Sequence, residues 1–307
     1  MFDASNPIAE IKKNFPGIKI KKYYFIETGW MNQIIVVNDG IVFRFPRTAG
    51  GIKRLSGELK LLPLLKNSPF MIPEYKFIHI EDQFFAGYQM IAGDTMVNAK
   101  SLGNGVLNDS ILLLNYLQKF DRDSFKKTYL QIYNSNAWIR HEKYLVDSFR
   151  GELEAYTGNE YFDEVFDLMD IAMSDLDDGD ISLIHGDLSG ENIILNRRHS
   201  RINGIIDWSD ASYGDRALDI AAIIDGFSLK YLTYILKHFN TDFSSRAVKR
   251  ILLYRLVSPF YRAYFLEKTG KHTESEELCV NIINNRELSK LKTIIKDRNG
   301  YSKFITQ

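Results

Sequence analysis

The segment at residues 183–219 decides the fold and reads LIHGDLSGENIILNRRHSRINGIIDWSDASYGDRALD. The tripeptide His-Gly-Asp at 185–187 is followed, five positions after its aspartate, by Asn192. Two short apolar runs come next, and the second ends on Asp207. Short apolar runs bounded by turn residues are typical of buried strands, so Asp207 is predicted to lie at the end of a strand.

This order of polar residues is that of kinase-type phosphoryl transfer, where one aspartate orients a hydroxyl and an asparagine and a second aspartate bind magnesium. Asp187 is therefore the candidate catalytic base. Asn192 and Asp207 are the candidate Mg²⁺ ligands, because Mg²⁺ prefers oxygen ligands and retains waters and phosphates as partners. Taken singly, each motif is a common turn or strand end; their combination, in this order and spacing, predicts a function.

Length and composition restrict the class of protein. A chain of 307 residues suggests two domains or one two-lobed unit. The formal net charge of zero argues against nucleic-acid and polybasic membrane partners. The single cysteine excludes an intrachain disulfide, and no apolar run approaches the ~20 residues needed to span a bilayer. The N-terminus lacks an apolar signal core, so we expect a cytoplasmic protein, and a monomer since nothing suggests an obligate partner.

The secondary-structure pattern changes along the chain. Asn6-Pro7 predicts a helix start, and apolar and aromatic runs separated by turn signals such as Asn38-Asp39-Gly40 predict several antiparallel strands with one helix among them. From about Leu107 the pattern is mainly helical. We therefore expect an α+β protein with a boundary near Gly93, between residues 1–92 and 93–307.

The motif at 185–187, with Asn192, Asp207, Asp215 and Asp219, resembles the aminoglycoside phosphotransferase family, a branch of the kinase-like fold that acts on small molecules. Four N-terminal segments are similar in order and spacing to the 2″-aminoglycoside phosphotransferases. They are VFRFPRTAGG, SGELKLLPLL, IPEYKFI and FFAGYQMIAG, and the resemblance covers most of residues 20–225. It implies a two-lobed protein-kinase-like fold, with a small β-rich nucleotide-binding lobe ending in a hinge and a larger helical lobe for catalysis and acceptor binding.

The resemblance also implies nucleotide-binding roles in the N-terminal half. Arg44 stands where protein kinases place the lysine that pairs with the nucleotide phosphates, and Glu58 would be its ion-pair partner. Arginine has the same charge but a planar, forked donor set. Gly29, in a loop between two strands, occupies the place of the phosphate loop. The alternative is that Arg44 is an edge-strand charge and Glu58 a solvated helix residue.

The hinge implied by the resemblance contains Tyr88, Gln89 and Ile91, whose backbone would face the purine edge. A tyrosine at the position of Tyr88 is associated in the 2″ enzymes with the use of GTP, because a bulky ring displaces the purine from the adenine pose. ATP or GTP is thus the expected donor. The alternative for Tyr88 is a core aromatic.

The acceptor side is indicated by acidic residues. No lysine or arginine occurs between Gly151 and Ile184, a densely acidic stretch, and a cationic drug would be attracted to such a field. The better placed candidates for acceptor contact are Asp210, Asp225 and Glu267. In the family, acids at the positions of Asp215 and Asp219 brace the catalytic loop, and His185 is expected to support it.

The resemblance implies transfer to an aminoglycoside hydroxyl, at the 2″ oxygen, which would confer antibiotic resistance. The sequence Trp208-Ser209-Asp210 departs from the 2″ enzymes and is more similar to hygromycin and macrolide phosphotransferases. Another small-molecule acceptor, such as a macrolide, hygromycin, or a choline- or sugar-like metabolite, therefore stays open. A nucleotide-binding pseudokinase without turnover is the alternative from a different class.

Overall fold

The computed structural model describes residues 6–26, 31–81, 83–99, 101–128, 130–239 and 241–297. Contacts divide the chain into two units, residues 1–131 with 190–211, and residues 132–189 with 212–307. Antiparallel strands dominate its first part and helices its later part, which confirms the α+β class. The boundary near Gly93 stays a prediction.

A five-stranded antiparallel sheet, in the order β1-β2-β3-β5-β4, forms the centre of the first unit. The described residues of this unit also form three α-helices and a small sheet of three strands in the order β6-β8-β9. The elements are α1 (Pro7–Asn14), β1 (Tyr23–Ile26), β2 (Asn32–Val37), β3 (Ile41–Pro46), α2 (Ala49–Leu61), β4 (Tyr75–His79), β5 (Phe85–Gln89), β6 (Asp94–Thr95), α3 (Asn104–Leu117), β8 (Ile193–Leu195) and β9 (Ile202–Ile205).

Local chemistry explains how the N-terminal elements begin and turn. The Asn6 side chain accepts a hydrogen bond from the amide of Ala9, with Pro7 in the first helical turn, as predicted. Asn38 and Asp39 both adopt positive φ angles, 53° and 52°, which is the backbone a tight hairpin between β2 and β3 requires. Helix α2 begins at Ala49, and the Thr48 side chain caps it by accepting a hydrogen bond from the Gly51 amide.

Alternation along β3 gives the sheet two different faces. On one face, Phe43, Phe45 and Phe85 pack with Ile11 of α1 in a buried apolar cluster. Arg44 points to the other face, which also holds a smaller cluster of buried residues that contains Val36, Val42 and Tyr88. Burying one face under α1 therefore directs Arg44 to the side on which Glu58 of α2 lies.

The second unit is mainly helical. Its elements are α4 (Ser135–Thr157), α5 (Asn159–Met173), β7 (Ile181–Ile184), β10 (Ser212–Asp215), α6 (Ala217–Phe227), α7 (Leu232–Leu236), α8 (Thr241–Lys268), α9 (His272–Ile283) and α10 (Arg286–Lys296). Helix α8 packs against α4, α5, α6, α9 and α10, so it is the central helix of this unit. Strands β7 and β10 pair antiparallel, and the 185–187 motif follows β7 directly.

The chain is mainly helical from α3 onward, which confirms the helical pattern that the sequence shows from about Leu107. Within the described residues, no helix has both the length and the apolar character needed to cross a membrane.

Candidate active site

Arg44 joins two acidic side chains of the first unit. Its Nη1 donates to Glu58 Oε2 and its Nη2 donates to Asp207 Oδ1, both at 2.7 Å. Arg44 and Glu58 are buried, whereas a third of the Asp207 side chain is exposed. Arg44 and Glu58 thus form a buried ion pair. The alternative, in which Arg44 is an edge-strand charge and Glu58 a solvated helix residue, is wrong.

Burial governs the electrostatics of this group. It raises the pKa of Glu58 to about 7, while the positive charge of Arg44 acts in the opposite direction. Burial by itself lowers the pKa of Arg44, but Glu58 and Asp207 more than compensate and the pKa is raised. The Tyr75 hydroxyl donates to Glu58 Oε1 at 3.2 Å, and the Trp208 amide donates to the same oxygen at 3.4 Å.

Asn192 and Asp207 lie at the same end of the β8–β9 pair. Ile193 opposes Ile205 in the register, and the Ile206 amide donates to the Asn192 carbonyl at 3.0 Å. Asp207 has a left-handed backbone (φ 59°), a conformation uncommon outside glycine. The amide and carboxylate oxygens offered here fit Mg²⁺, a hard cation that needs few protein ligands.

Among the described residues, no three His, Cys, Asp or Glu side chains cluster as a metal site. A cation held by Asn192 and Asp207 would therefore complete its coordination with water or nucleotide phosphate oxygens, as Mg²⁺ commonly does.

Asp187 is carried by a tight loop in the second unit. Gly186 has a positive φ of 82°, and the Asp187 amide donates to the ring Nδ1 of the buried His185 at 3.3 Å. Buried Asp219 accepts from the amides of His185 at 2.7 Å and Gly186 at 3.0 Å. These bonds fix the loop from within the protein while Asp187 itself is exposed.

Asp215 is placed differently from Asp219. Its carboxylate caps α6 at the Ala217 amide and accepts from Arg250 Nε at 2.7 Å and from the Tyr254 hydroxyl at 3.0 Å. Arg250 also binds Asp180 at 2.9 Å. These contacts tie β10 to helix α8.

The hinge candidates lie at the end of β5. Tyr88 is buried and its ring meets that of Tyr75 edge-on, with centroids 5.1 Å apart. Gln89 is exposed and Ile91 is half-buried. Tyr88 is thus a core aromatic on the sheet face that bears Arg44; its part in selecting the purine stays a prediction. Gly29 lies outside the described residues.

Each of the three acids proposed for acceptor contact has an ion-pair partner. Asp210 pairs with Arg54 of α2. Asp225 accepts from Arg255 Nε at 2.5 Å, and Glu267 meets His272 Nδ1 at 2.6 Å. An acceptor amine that bound to one of these acids would share it with the basic side chain already present.

Acids of the 151–184 stretch are also paired. Glu164 accepts from Lys292 at 2.7 Å and from Lys296 at 2.6 Å, and Asp180 lies between Arg246 and Arg250. The cations come from elements distant in sequence, so the stretch has less uncompensated negative charge than its composition indicates.

Sequence reasoning missed Tyr75, which lies beside Arg44 and Glu58, and Glu142, a buried acid of the second unit. Tyr75 was read only as part of a strand, although its hydroxyl contacts both Arg44 and Glu58. Glu142 of α4 is an acid that the structure buries almost completely. A glutamate at helical spacing from Trp138 and Phe149, both strongly apolar, is the signal that could have drawn attention to it.

Residues 23–247 match the model of the phosphotransferase enzyme family, APH. No curated protein sequence matches the chain. The fold is similar to that of the GDP and kanamycin complex of APH(2″)-IIIa, with a TM-score of 0.75, 20% identity, and coverage of 93% of this chain and 98% of that one.

Two further solved structures are similar at lower scores. The macrolide 2′-phosphotransferase type I gives a TM-score of 0.66 at 19% identity, over 97% of this chain and 98% of that one. The gentamicin complex of APH(2″)-IIa gives 0.65 at 18% identity, over 94% and 98%. At these identities the likeness shows the fold, which is kinase-like as expected. Because the family model spans well over half of its residues, the chain belongs to the phosphotransferase enzyme family.

Proposed function

We propose that this enzyme transfers the γ-phosphoryl group of ATP or GTP to a hydroxyl of an aminoglycoside, at the 2″ oxygen, and thereby confers resistance. The observation that carries the proposal is the buried Arg44–Glu58 pair, with Arg44 also bonded to Asp207. Phosphoryl transfer needs positioning and charge stabilisation more than covalent chemistry, and this group supplies a fixed cation beside a metal-binding carboxylate.

In the proposed reaction, Asp187 accepts a hydrogen bond from the acceptor hydroxyl and aligns its oxygen. That oxygen forms the new bond to the γ-phosphorus, the bond to the β–γ bridging oxygen breaks, and the hydroxyl proton leaves by way of the Asp187 carboxylate. Asp219 keeps the loop in place through two backbone amides. The products are a phosphorylated alcohol and a nucleoside diphosphate.

Arg44 is the proposed contact to the nucleotide phosphates, and Glu58 orients it. Asn192 and Asp207 would hold Mg²⁺, which neutralises charge on the phosphates when it is bound. Arginine suits this place because its fork engages two anions at once. Gly29, Gln89 and Ile91 stay candidates for the phosphate loop and the purine edge.

Two acceptor classes have support. Solved structures with this fold include the named kanamycin and gentamicin complexes, which favour an aminoglycoside. The macrolide 2′-phosphotransferase matches over a comparable share of the chain, and the Trp208-Ser209-Asp210 sequence also favours a macrolide. Asp210, Asp225 and Glu267 are the proposed acceptor contacts for a cationic drug.

A panel of acceptors tests the proposal. Purified enzyme, Mg²⁺ and either nucleotide would be incubated with aminoglycosides, hygromycin, macrolides and choline, with nucleoside diphosphate release as readout. Mass spectrometry would then locate the phosphate. We expect turnover with aminoglycosides and a phosphate on the 2″ oxygen. Turnover with macrolides alone would mean that the acceptor is a macrolide and not an aminoglycoside. Nucleotide binding without any turnover would favour a pseudokinase.

Donor choice has its own test. Steady-state competition between ATP and GTP at a fixed acceptor concentration should favour GTP if the Tyr88 ring displaces the purine. Tyr88→Met should then raise the share of ATP used. A strong ATP preference in the unmodified enzyme would contradict the steric argument.

A further inference from the structure

The turn that follows β9 brings a serine hydroxyl onto the carboxylate of Asp207. Asp207 has a left-handed backbone, and a short 3₁₀ turn at Trp208–Asp210 comes directly after it. The Ala211 amide closes this turn by donating to the Trp208 carbonyl at 3.1 Å. Ser209 Oγ donates to Asp207 Oδ1 at 2.7 Å. A third of the Asp207 side chain is exposed, so a ligand from solvent has access to it.

The side chain of Trp208 anchors this turn. Its indole is fully buried, and the Nε1 donates to the Ile205 carbonyl at 3.2 Å. The Trp208 amide donates to Glu58 Oε1 at 3.4 Å, which joins the turn to α2. Because Trp208 is held at its side chain and at its backbone, the residue after it has a defined position. The fold therefore sets the place of the Ser209 hydroxyl.

Two donors act on the same oxygen of Asp207. Arg44 Nη2, from strand β3, and Ser209 Oγ, from the turn, each donate to Oδ1 at 2.7 Å. The χ2 torsion of an aspartate is broad, so one hydrogen bond leaves the carboxylate plane poorly defined. Two donors from different elements fix the position of Oδ1. They also fix Oδ2, since both oxygens belong to one planar group.

The two donors differ in charge. Arg44 is a cation and repels a metal ion bound at the same carboxylate, whereas a hydroxyl has no net charge. Ser209 thus orients the carboxylate without electrostatic competition with the ion. The guanidinium of Arg44 is also bonded to Glu58 at 2.7 Å, so its position depends on α2. The Ser209 hydroxyl lies two residues from the carboxylate and moves with it.

We propose that Ser209 is a positioning residue for the divalent cation that Asn192 and Asp207 would bind together with the nucleotide phosphates. The inference rests on the Mg²⁺-nucleotide part of the proposed function. The Ser209 hydroxyl holds the Asp207 carboxylate in one orientation before the ion binds, so the ion does not have to order this side chain. Without the hydroxyl, the ion orders the carboxylate itself and is bound more weakly.

This role separates two forms of the nucleotide. A nucleotide without metal depends on the cationic side chain of Arg44 and does not use Asp207 as a metal ligand, so its affinity should be independent of Ser209. The metal–nucleotide complex depends on both groups. A positioning role therefore changes metal binding alone, whereas a general effect on the local fold weakens both forms.

The test uses Mn²⁺, a paramagnetic substitute for Mg²⁺ at oxygen ligands. Electron paramagnetic resonance measures the Kd of Mn²⁺ for the enzyme–nucleotide complex, with ADP or GDP and the enzyme in excess, and no acceptor is needed. We expect this Kd to rise about tenfold in Ser209→Ala, the lower end of the effect of losing an outer-shell partner of a metal site. Nucleotide affinity in EDTA, measured by calorimetry, should not change. Ser209→Thr keeps the donor and should bind Mn²⁺ like the unmodified enzyme.

Ser110→Ala is the matched control. Ser110 is buried in α3 of the same unit, and its hydroxyl donates to the Val106 carbonyl of its own helix at 2.9 Å. Loss of this hydroxyl should leave both measurements unchanged. If Ser209→Ala does not fold, Ser209→Cys takes its place, because a thiol has nearly the same shape and is a weak donor.

An unchanged Mn²⁺ Kd in Ser209→Ala would overturn the inference. An equal loss of Mn²⁺ affinity and of nucleotide affinity in EDTA would overturn it too, as would a Ser209→Thr protein that binds Mn²⁺ as weakly as Ser209→Ala. Failure of the proposed function gives a different result, because the complex of the unmodified enzyme would then bind Mn²⁺ no more tightly than the free nucleotide does.

Discussion

Arg44 makes two contacts that a lysine could not make in the same way. Its two terminal nitrogens reach Glu58 and Asp207, each at 2.7 Å. A planar fork holds two carboxylates at fixed angles, whereas an ammonium is a point charge on a flexible stem. Arg44 therefore joins the carboxylate of Glu58 on α2 directly to Asp207, the candidate metal ligand.

Asp187→Asn tests the base at the level of a single residue. The amide keeps the size of the side chain but does not take up the hydroxyl proton, so we expect kcat to fall by about 10²–10⁴-fold. Nucleotide affinity, measured by fluorescence titration, should stay the same. Asp167→Asn, an exposed acid of α5, serves as the control; full turnover in Asp187→Asn would exclude the base assignment.

Tyr75→Phe tests a residue that supports Glu58. Loss of the hydroxyl leaves Glu58 Oε1 with one donor fewer, and a hydrogen bond of this kind contributes about 0.5–1.5 kcal/mol. We expect the nucleotide KM to rise by about 2- to 10-fold while the acceptor KM stays constant. Tyr24→Phe, on the exposed strand β1, should change neither constant. Equal effects on both substrates would indicate a general structural role instead.

At the level of elements, the packing of α4 on β10 depends on a glycine. A Cβ added at Gly214 would lie 2.2 Å from the Trp138 ring, and Trp138 is held by its hydrogen bond to Tyr254. The close approach lets the indole cover the strand that carries Asp215. The close packing of Gly214 and Trp138 therefore fixes α4 against β10, and the hydrogen bond from Trp138 to Tyr254 fixes α4 against α8.

Gly214→Ala should destabilise the protein by about 1–3 kcal/mol, the usual cost of overpacking. Chemical denaturation followed by circular dichroism measures it. Gly151→Ala is the matched control, since nothing lies within 4 Å of the added Cβ and the site is inside α4. Alanine there should stabilise the helix by about 0.5–1 kcal/mol. A stable Gly214→Ala protein would show that Trp138 can move.

At the scale of the molecule, a buried ion network links residues far apart in sequence. Arg250 of α8 binds Asp180, before β7, and Asp215 of β10, and all three side chains are fully buried. Burying such an ion network costs desolvation free energy. Removing one partner is strongly destabilising, because the remaining charges are left buried and unpaired.

Arg250→Met should therefore lower the free energy of unfolding by about 3–5 kcal/mol. Urea denaturation gives the value. Arg262→Met, an exposed arginine of the same helix, should change stability by no more than about 0.5 kcal/mol. A small loss at Arg250 would mean that water or another cation replaces the guanidinium.

Much of the fold could be predicted from local patterns. The Asn6 cap, the Asn38–Gly40 turn and the apolar runs of the sheet each depend on neighbouring residues, so the sequence indicates them directly. The order of Asp187, Asn192 and Asp207 likewise predicted phosphoryl transfer, and the family match agrees with that class of reaction. The pairing of Arg44 with Glu58, expected from the resemblance, is present at 2.7 Å.

The ion-pair partners of the acidic side chains could not be predicted from such local patterns. The sequence by itself determined the α+β class and the family, because strand and helix periodicity and motif spacing are properties of adjacent residues. Only the tertiary structure decided that Asp210, Asp225 and Glu267 are paired and that Glu142 is buried. The physical reason is that the charge available to a ligand is what remains after long-range ion pairs have formed, and these pairs exist only in the folded chain.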